Sequence, residues 1–308
     1  FATGLTTGRT PATADGVLVA GTEEGTLFAI DTTDGTQKWS FASNGGLMAT
    51  TVAADGTIYQ AVGNGDGNGL YVLDLQTGKE RWSYHALDNA SIGVPTVDGD
   101  TVYFTSDDGR LYALDTSNGV ERWLVTQMAP WHADGKVAGE YFYIYHPGAR
   151  KLFAFEKATG AVHWEVDGAD FANKGPAIVN GVLYASTVDG VVHAISVNAG
   201  VAMATPAAIA PEATLLWMSP GDPSSPLRHP EAIRFAPDGN VWVTNSGNDL
   251  FEIYAPDGTF LRTWGTPGSE PGQFKLHDNT GGVLGDVGWD ADGNIYVFDS
   301  YNGRVQKF

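Results

Sequence analysis

Along this chain apolar residues come in short runs, and Gly, Asp and Asn break the runs apart. Between residues 51 and 84 the runs read T-V-A-A-D-G, T-I-Y-Q-A-V, L-Y-V-L-D-L and K-E-R-W-S-Y. Each is rich in Val, Ile, Tyr or Phe, and each either alternates or stays apolar. That composition suits a pleated, half-buried surface, so the four segments predict four β-strands joined by tight turns. No stretch carries the 3.6-residue periodicity of a long helix.

The four-strand unit recurs. Gly25 to Trp39 reads G-T-L-F-A-I-D-T-T-D-G-T-Q-K-W, and related segments run from Gly69 to Trp82, Gly109 to Trp123 and Lys151 to Trp164. The turn glycines Gly35, Gly78, Gly119, Gly160 and Gly200 are separated by 43, 41, 41 and 40 residues. A period near 40 with four short strands per unit is the mark of a β-propeller, whose blades are four-stranded antiparallel sheets. The expected fold class is therefore all-β. Trp39, Trp82, Trp123, Trp164, Trp217 and Trp264 recur once per unit, which assigns them to packing between blades, because an aromatic repeated in every unit answers a need of every unit.

Residues 201–228 break the register with an Ala- and Pro-rich insertion. Leu215 to Met218 is expected to be the delayed fourth strand of blade five, with Trp217 in the tryptophan slot, and the prolines that follow argue against regular structure in the linker. The expected organisation is one propeller over residues 1–308, with blades over 1–218, a linker over 219–228 and further blades over 229–308. The chain stops at Phe308, the end of a third strand, while Phe1-Ala-Thr-Gly matches Phe41-Ala-Ser-Asn, which follows a fourth-strand tryptophan. This predicts seven four-stranded blades, with the last closed by the N-terminus, a device that removes an open sheet edge.

The pattern D-G-x-(L/V)-Y-(A/V)-L-D-x-x-(T/N)-G-x-x-x-W over about residues 15–200 resembles the PQQ-like repeat of quinoprotein dehydrogenases and of BamB-like outer-membrane assembly lipoproteins. From His229 the wording changes. F-A-P-D-G-N-V-W-V-T-N-S-G-N-D-L-F-E-I-Y-A-P-D-G-T-F-L-R-T-W-G (235–265) and W-D-A-D-G-N-I-Y-V-F-D-S-Y-N-G-R-V-Q-K-F (289–308) resemble NHL repeats. Quinoprotein enzymes of the first kind are larger, eight-bladed, and set a vicinal Cys-Cys disulfide and a Ca²⁺ ion against their quinone. This chain has no cysteine, so the resemblance does not extend to PQQ as a cofactor.

Composition narrows the function classes. The 308 residues carry 17 Lys+Arg against 36 Asp+Glu, a net charge of −19, which sets the chain against nucleic acid or an anionic membrane surface as a partner. Many carboxylates sit in Asp-Gly turns such as Asp55-Gly56, Asp108-Gly109 and Asp292-Gly293, where turn chemistry accounts for them. No apolar run approaches the roughly 20 residues of a membrane span. No leader of charged and apolar regions opens the sequence, so a targeting peptide is expected only outside it. Without cysteine there is no disulfide, thiolate metal site or thiol nucleophile.

Chemistry is expected where blades differ rather than where they agree. In propellers the residues just before each innermost strand face the mouth of the central channel. Here they are Arg9, Met48, Ser91, Trp131 with His132, Lys174, His229 with Glu231, and Asp286. Convergence of such His, Asp and Arg side chains would bind an anion or metal or serve acid–base catalysis; solvated loops are the plainer alternative. Asn64 to Gly69, N-G-D-G-N-G, matches the opening of a Ca²⁺ loop, with Asn64, Asp66 and Asn68 as alternate oxygen donors. Leu75 stands where the bidentate Glu belongs, so a Gly-rich hairpin explains the run as well. Ca²⁺ is the one metal this pattern allows; otherwise no cofactor is expected. Asn89-Ala90-Ser91 is a single glycosylation sequon.

The expected function is a non-enzymatic binding or scaffold module of an exported prokaryotic protein, periplasmic, cell-surface or extracellular. It would meet a protein or an extracellular polymer through its blade-top loops. One alternative is a metal-dependent hydrolase or lyase of the lactonase sort, with its site at the channel mouth. The other is a self-associating subunit of a surface assembly.

Overall fold

The computed structural model describes residues 12–22, 24–52, 55–126, 134–146, 149–167, 176–179, 181–187, 191–197, 213–219, 221–222, 225–277, 285–290 and 292–308. Blade 1 comprises β1 (Ala12–Ala14), β2 (Val17–Gly21), β3 (Thr26–Asp31) and β4 (Gln37–Ala42). Blade 2 comprises β5 (Gly46–Val52), β6 (Thr57–Gly63), β7 (Gly69–Asp74) and β8 (Glu80–Tyr84). Blade 3 has β9 (Thr96–Asp98), β10 (Thr101–Ser106), β11 (Arg110–Asp115) and β12 (Glu121–Val125), and blade 4 has β13 (Lys136–Ala138), β14 (Tyr141–His146), β15 (Lys151–Glu156) and β16 (Val162–Asp167). Blade 5 follows with β17 (Ala177–Val179), β18 (Val182–Ser186), β19 (Val192–Val197) and β20 (Ala213–Ser219). A two-residue ladder, β21 (Gly221–Asp222) with β22 (Ser225–Pro226), then lies within the expected linker. Blade 6 is β23 (Pro230–Phe235), β24 (Val241–Asn245), β25 (Leu250–Tyr254) and β26 (Phe260–Trp264); blade 7 is β27 (Asp286–Trp289), β28 (Ile295–Asp299) and β29 (Arg304–Lys307).

Every blade is an antiparallel meander in chain order. The innermost strands touch their neighbours around a ring, β9 with β13, β13 with β17, β17 with β23, β23 with β27, β27 with β1 and β1 with β5. The protein is a seven-bladed β-propeller. Blade 7 has three strands among the described residues; the predicted closure by the N-terminus falls on residues 1–11, outside them. No helix there is long and apolar enough to cross a membrane.

Burial follows position in the blade. The second strands β2, β6, β10, β14 and β24 are buried throughout, whereas the outer strands β8 and β12 are largely exposed. Apolar clusters fill the gaps between blades, for example Val19, Leu27, Ile58 and Leu73 between blades 1 and 2, and Tyr103, Phe142 and Phe155 between blades 3 and 4. Each fully buried Leu, Val or Phe contributes on the order of 1.5–3 kcal/mol, so the stability of the ring resides in these seams.

The repeated tryptophan locks the first three seams. The Trp39 indole N–H donates to the Leu75 carbonyl of the next blade at 2.8 Å, Trp82 to Thr116 at 2.9 Å and Trp123 to Lys157 at 2.8 Å. Each ring lies on the next blade's turn glycine: a Cβ would sit 2.7 Å from Trp39 at Gly78, 2.7 Å from Trp82 at Gly119 and 2.6 Å from Trp123 at Gly160. These glycines adopt φ of 67° to 72°, so the turn needs glycine for its backbone and the seam needs it for space.

Ladder register explains the sequence spacing. The tryptophan faces Ala29, Val72, Ala113 and Ala154 in the first four blades, in each case just before a β-bulge. In blade 5 Trp217 faces Ala194 at the same place, as the delayed fourth strand predicts. Trp264 does not belong to this set. In blade 6 the residue facing Ile253 before the bulge is Arg262, and Trp264 lies two residues further on, opposite Phe251. It packs instead against Trp242, Phe274 and Phe308.

Up-and-down connectivity sorts the connections onto two rims. Turns joining first to second and third to fourth strands, such as those at Gly16 and Gly35, share one rim. The loops between second and third strands, and between one blade and the next, share the opposite one, called here the loop rim.

Candidate functional site at the central channel

The tryptophan register continues inward to the channel. Pairing runs from Trp82 through Val72 and Tyr59 to Thr51, from Trp123 through Ala113 and Tyr103 to Thr96, and from Trp164 through Ala154 and Tyr143 to Lys136. Arg234 holds the corresponding position in blade 6, paired through Trp242 and Ile253 with Arg262. These inner-strand side chains reach sideways to the next blade. Thr51 Oγ1 donates to the Pro95 carbonyl at 2.6 Å, and Thr96 Oγ1 donates to the Gly135 carbonyl at 2.7 Å.

In blade 6 the same reach becomes ionic. Arg234 donates through Nη2 to Asp286 Oδ2 at 2.5 Å and through Nη1 to its neighbour's carbonyl, Ile233 O, at 3.1 Å. Asp286 is the first residue of β27 and its side chain is only 4% exposed. Its other oxygen accepts the Val287 amide at 2.8 Å, so the buried carboxylate is hydrogen-bonded on both sides.

Lys136 stands in this field from blade 4. It is partly accessible, yet the surrounding strands still desolvate it and pull its ammonium below the usual lysine range. The Asp134 carboxylate opposes that shift, Arg234 adds to it and Asp286 opposes it. Two cations and two anions from blades 4, 6 and 7, or from the segment entering blade 4, thus share one stretch of channel.

Most of the sequence candidates fall outside the description. Arg9, Trp131, His132 and Lys174 lie outside the described residues. Glu231 falls within β23, with its side chain outside the description. His229 is exposed at the entry to β23, with φ of 48°. Among the described residues, Asp286 is the candidate that joins the channel cluster. Its partners Arg234 and Lys136 sit inside the inner strands rather than before them, which is why a search of the preceding loops passes over them.

Asn64, Asp66 and Asn68 lie on the loop rim of blade 2, between β6 and β7. Asn68 Oδ1 accepts the Gly65 amide at 2.9 Å, its Nδ2 donates to the Asn89 carbonyl at 2.7 Å, and its own carbonyl meets His85 Nδ1 at 2.7 Å. Asn89 Nδ2 donates back to the Gly65 carbonyl at 2.9 Å. The Asn68 amide therefore ties the loop to its neighbour, while Asp66 is exposed. Ca²⁺ takes six to eight oxygens, and this loop turns its buried amide toward the chain rather than toward a common centre. Among the described residues no three of His, Asp and Glu gather as metal ligands.

One further pair went unseen in the sequence. Asp249 Oδ1 accepts the amides of Leu276 at 2.6 Å and His277 at 3.2 Å, and also contacts His277 Nδ1 at 2.9 Å. It pins the segment leading to blade 7 onto blade 6, across 28 residues that no spacing rule connects.

Comparison with known proteins accounts for the architecture. The family model described as outer membrane protein assembly factor BamB matches residues 1–134 and 127–307, nearly the whole chain. The chain belongs to this BamB family. No curated protein sequence matches it. Among solved structures, BamB from Moraxella catarrhalis is similar at 20% identity, with a TM-score of 0.59, over 95% of this chain and 79% of that one. The β-propeller domain of Cps50 (Swd1) from Myceliophteria thermophila has 14% identity and a TM-score of 0.72, over 98% and 96%. The WD40 β-propeller domain of Doa1 has 14% identity and a TM-score of 0.71, over 98% and 93%. At these identities the neighbours speak for the fold alone.

Proposed function

We propose that this BamB-family propeller is a non-enzymatic binding scaffold, exported from a prokaryotic cell, that holds a protein partner on its loop rim and channel mouth. The observation that carries the reading is the division of labour in the chain. The repeated polar residues serve the blades: Asp31, Asp74 and Asp115 accept turn amides of Thr33, Thr77 and Ser117, and the tryptophans bridge blades. Residues on the loop rim and around the channel differ from blade to blade, so the repeat does not account for them. Family membership supports a protein partner over a polymer, because the family is described by its role in protein assembly.

Site-specific photo-crosslinking in the source cells tests this. A crosslinker at Asp66 or Asp107 on the loop rim is expected to yield a discrete protein adduct, and one at Asp34 or Asp257 on the turn rim none. Adducts from the turn rim alone, or metal-dependent turnover of lactone or ester substrates by the purified protein, would overturn the reading.

A further inference from the structure

The two cations of the channel stand on one level. The register that aligns Lys136 with Thr51 and Thr96 sets Arg234 at the same position in blade 6 and Ala177 in blade 5, paired through Tyr184 and Ala194 with Trp217. Lys136 and Arg234 therefore flank blade 5, whose own side chain at that level is a single methyl group. The carboxylates stand elsewhere. Asp134 lies just before β13 and Asp286 opens β27, each at the loop-rim end of its inner strand.

Both cations keep accessible surface. Arg234 has 30% of its side chain exposed and spends two of its five N–H groups, on Asp286 and on the Ile233 carbonyl. Lys136 is half-buried, and the strands around it have already taken water from its ammonium. An oxyanion that arrives between the two is attracted to both, and the cost of desolvating the lysine falls on folding rather than on binding. Asp286 is a weak barrier to it, because Arg234 and the Val287 amide hold that carboxylate on both sides. The cluster sums to zero and the chain to −19, so a guest of single charge enters against the least repulsion, which favours a carboxylate over a dianion such as sulfate.

We propose that this stretch of the channel binds a carboxylate, with one oxygen on the Lys136 ammonium and the other on N–H groups of Arg234 that Asp286 does not use. The group can arrive on a small organic acid or on a Glu or Asp side chain of a polypeptide, since both present the same two oxygens. A planar pair of acceptors meets one cation on each side, which a chloride ion cannot do. Arg234 keeps its bond to Asp286 throughout, so the site forms without opening the seam between blades 6 and 7. The inference goes beyond the loop-rim reading and does not need it: a free acid can bind where no protein docks, and either can fail alone.

The probes are propionate, which is a Glu side chain without its backbone, and two capped tripeptides, Ala-Glu-Ala and Ala-Gln-Ala. Equilibrium dialysis with radiolabelled propionate is expected to show saturable binding that weakens about tenfold in Lys136→Met and recovers in Lys136→Arg, which restores the charge. The Glu peptide is expected to displace propionate at about tenfold lower concentration than the Gln peptide. In the unmodified protein, NMR of the lysine ε-methylene groups is expected to show the Lys136 titration moving to higher pH when propionate binds, because the anion favours the ammonium. That readout decides the matter if Lys136→Met does not fold. A Glu peptide that binds tighter than propionate assigns the site to a polypeptide side chain, and the reverse order assigns it to a free acid. Equal displacement by the two peptides, sulfate that competes as well as propionate at equal ionic strength, or an unmoved Lys136 titration overturns the inference. So does tighter propionate binding by Glu231→Gln, which would make Glu231 of this chain the occupant.

Discussion

The Trp82 indole lies over Gly119 with its Nε1–H bonded to the Thr116 carbonyl at 2.9 Å, so one side chain both fills and fastens the seam between blades 2 and 3. Gly119→Ala must then meet two costs: about 1 kcal/mol for a left-handed residue with a Cβ, and about 1–3 kcal/mol for displacing a packed ring. Gly99→Ala meets only the first, since Gly99 has φ of 55° and nothing within 4 Å of an added Cβ. Urea unfolding is expected to show a loss of about 2–4 kcal/mol for the first variant and about 1 kcal/mol for the second. Equal losses would mean that the indole does not press on the turn.

Blades 6 and 7 hold the same polar bond with its partners exchanged. Asn245 Nδ2 donates to Glu252 Oε1 at 2.8 Å in blade 6, whereas in blade 7 Gln306 Nε2 donates to Asp299 Oδ2 at 3.0 Å. Amide and carboxylate have traded strands, and all four residues stand at matching places on their ladders. N245D alone sets two carboxylates together beside a fully buried Glu252, and E252Q alone leaves two amides there. N245D/E252Q restores one of each in the blade 7 order. A double-mutant cycle is expected to give a coupling of about 1–3 kcal/mol in favour of the double variant; additive losses would show that the pair does not act as a unit.

What the sequence disclosed and what it hid follow from one distinction. Blade-building residues were legible because each blade repeats them, and even the insertion after blade 5 left Trp217 findable. Trp264 was misplaced, although the signal was present: Trp39, Trp82, Trp123 and Trp164 each follow their turn glycine by four residues, and four after Gly258 stands Arg262. The β-bulge, not the identity of the aromatic, sets the slot. The channel cluster was hidden for a different reason. Arg234 and Asp286 are 52 residues apart and meet only because the ring brings β23 against β27. Burial of Asp286 likewise depends on tertiary packing that no local pattern records.

Turn carboxylates with lowered pKa values add stability that acid removes. Asp74 is held at about 2 by the Arg81 guanidinium and the Thr77 hydroxyl, and Asp115 at about 2 by the Ser117 hydroxyl and Arg122. Both lie below the ~3.9 of an unfolded Asp. A depressed folded-state value contributes stability that is fully present above about pH 4 and is lost as pH falls through 2. The melting temperature is therefore expected to drop between pH 4 and pH 2, and Asp74→Asn with Asp115→Asn is expected to flatten that drop. Tyr59 works in the opposite sense. Burial, with Asp55 nearby, raises its phenol to about 12, so its contribution holds below pH 10 and fades as pH rises through 12. Tyr59→Phe should flatten the alkaline arm and leave the acid arm unchanged.

The channel charges are unequal, and truncating them one at a time separates the pair from the bystander. Asp286 is buried and accepts from Arg234 and the Val287 amide, so Arg234→Met leaves a desolvated carboxylate short of its cation. Such a loss costs about 2–4 kcal/mol. Lys136 sits at the same register, where the surrounding strands desolvate its ammonium and lower its pKa. Lys136→Met keeps much of the stem and removes a charge that folding desolvates, so its unfolding free energy is expected to stay within about 1 kcal/mol of the parent or to rise. Adding Asp286→Leu to Arg234→Met removes the stranded anion and should recover part of the loss. Comparable losses for Lys136→Met and Arg234→Met would instead tie all the charges into one network, in which the lysine is as much a part of the ring as the pair that closes blade 6 onto blade 7.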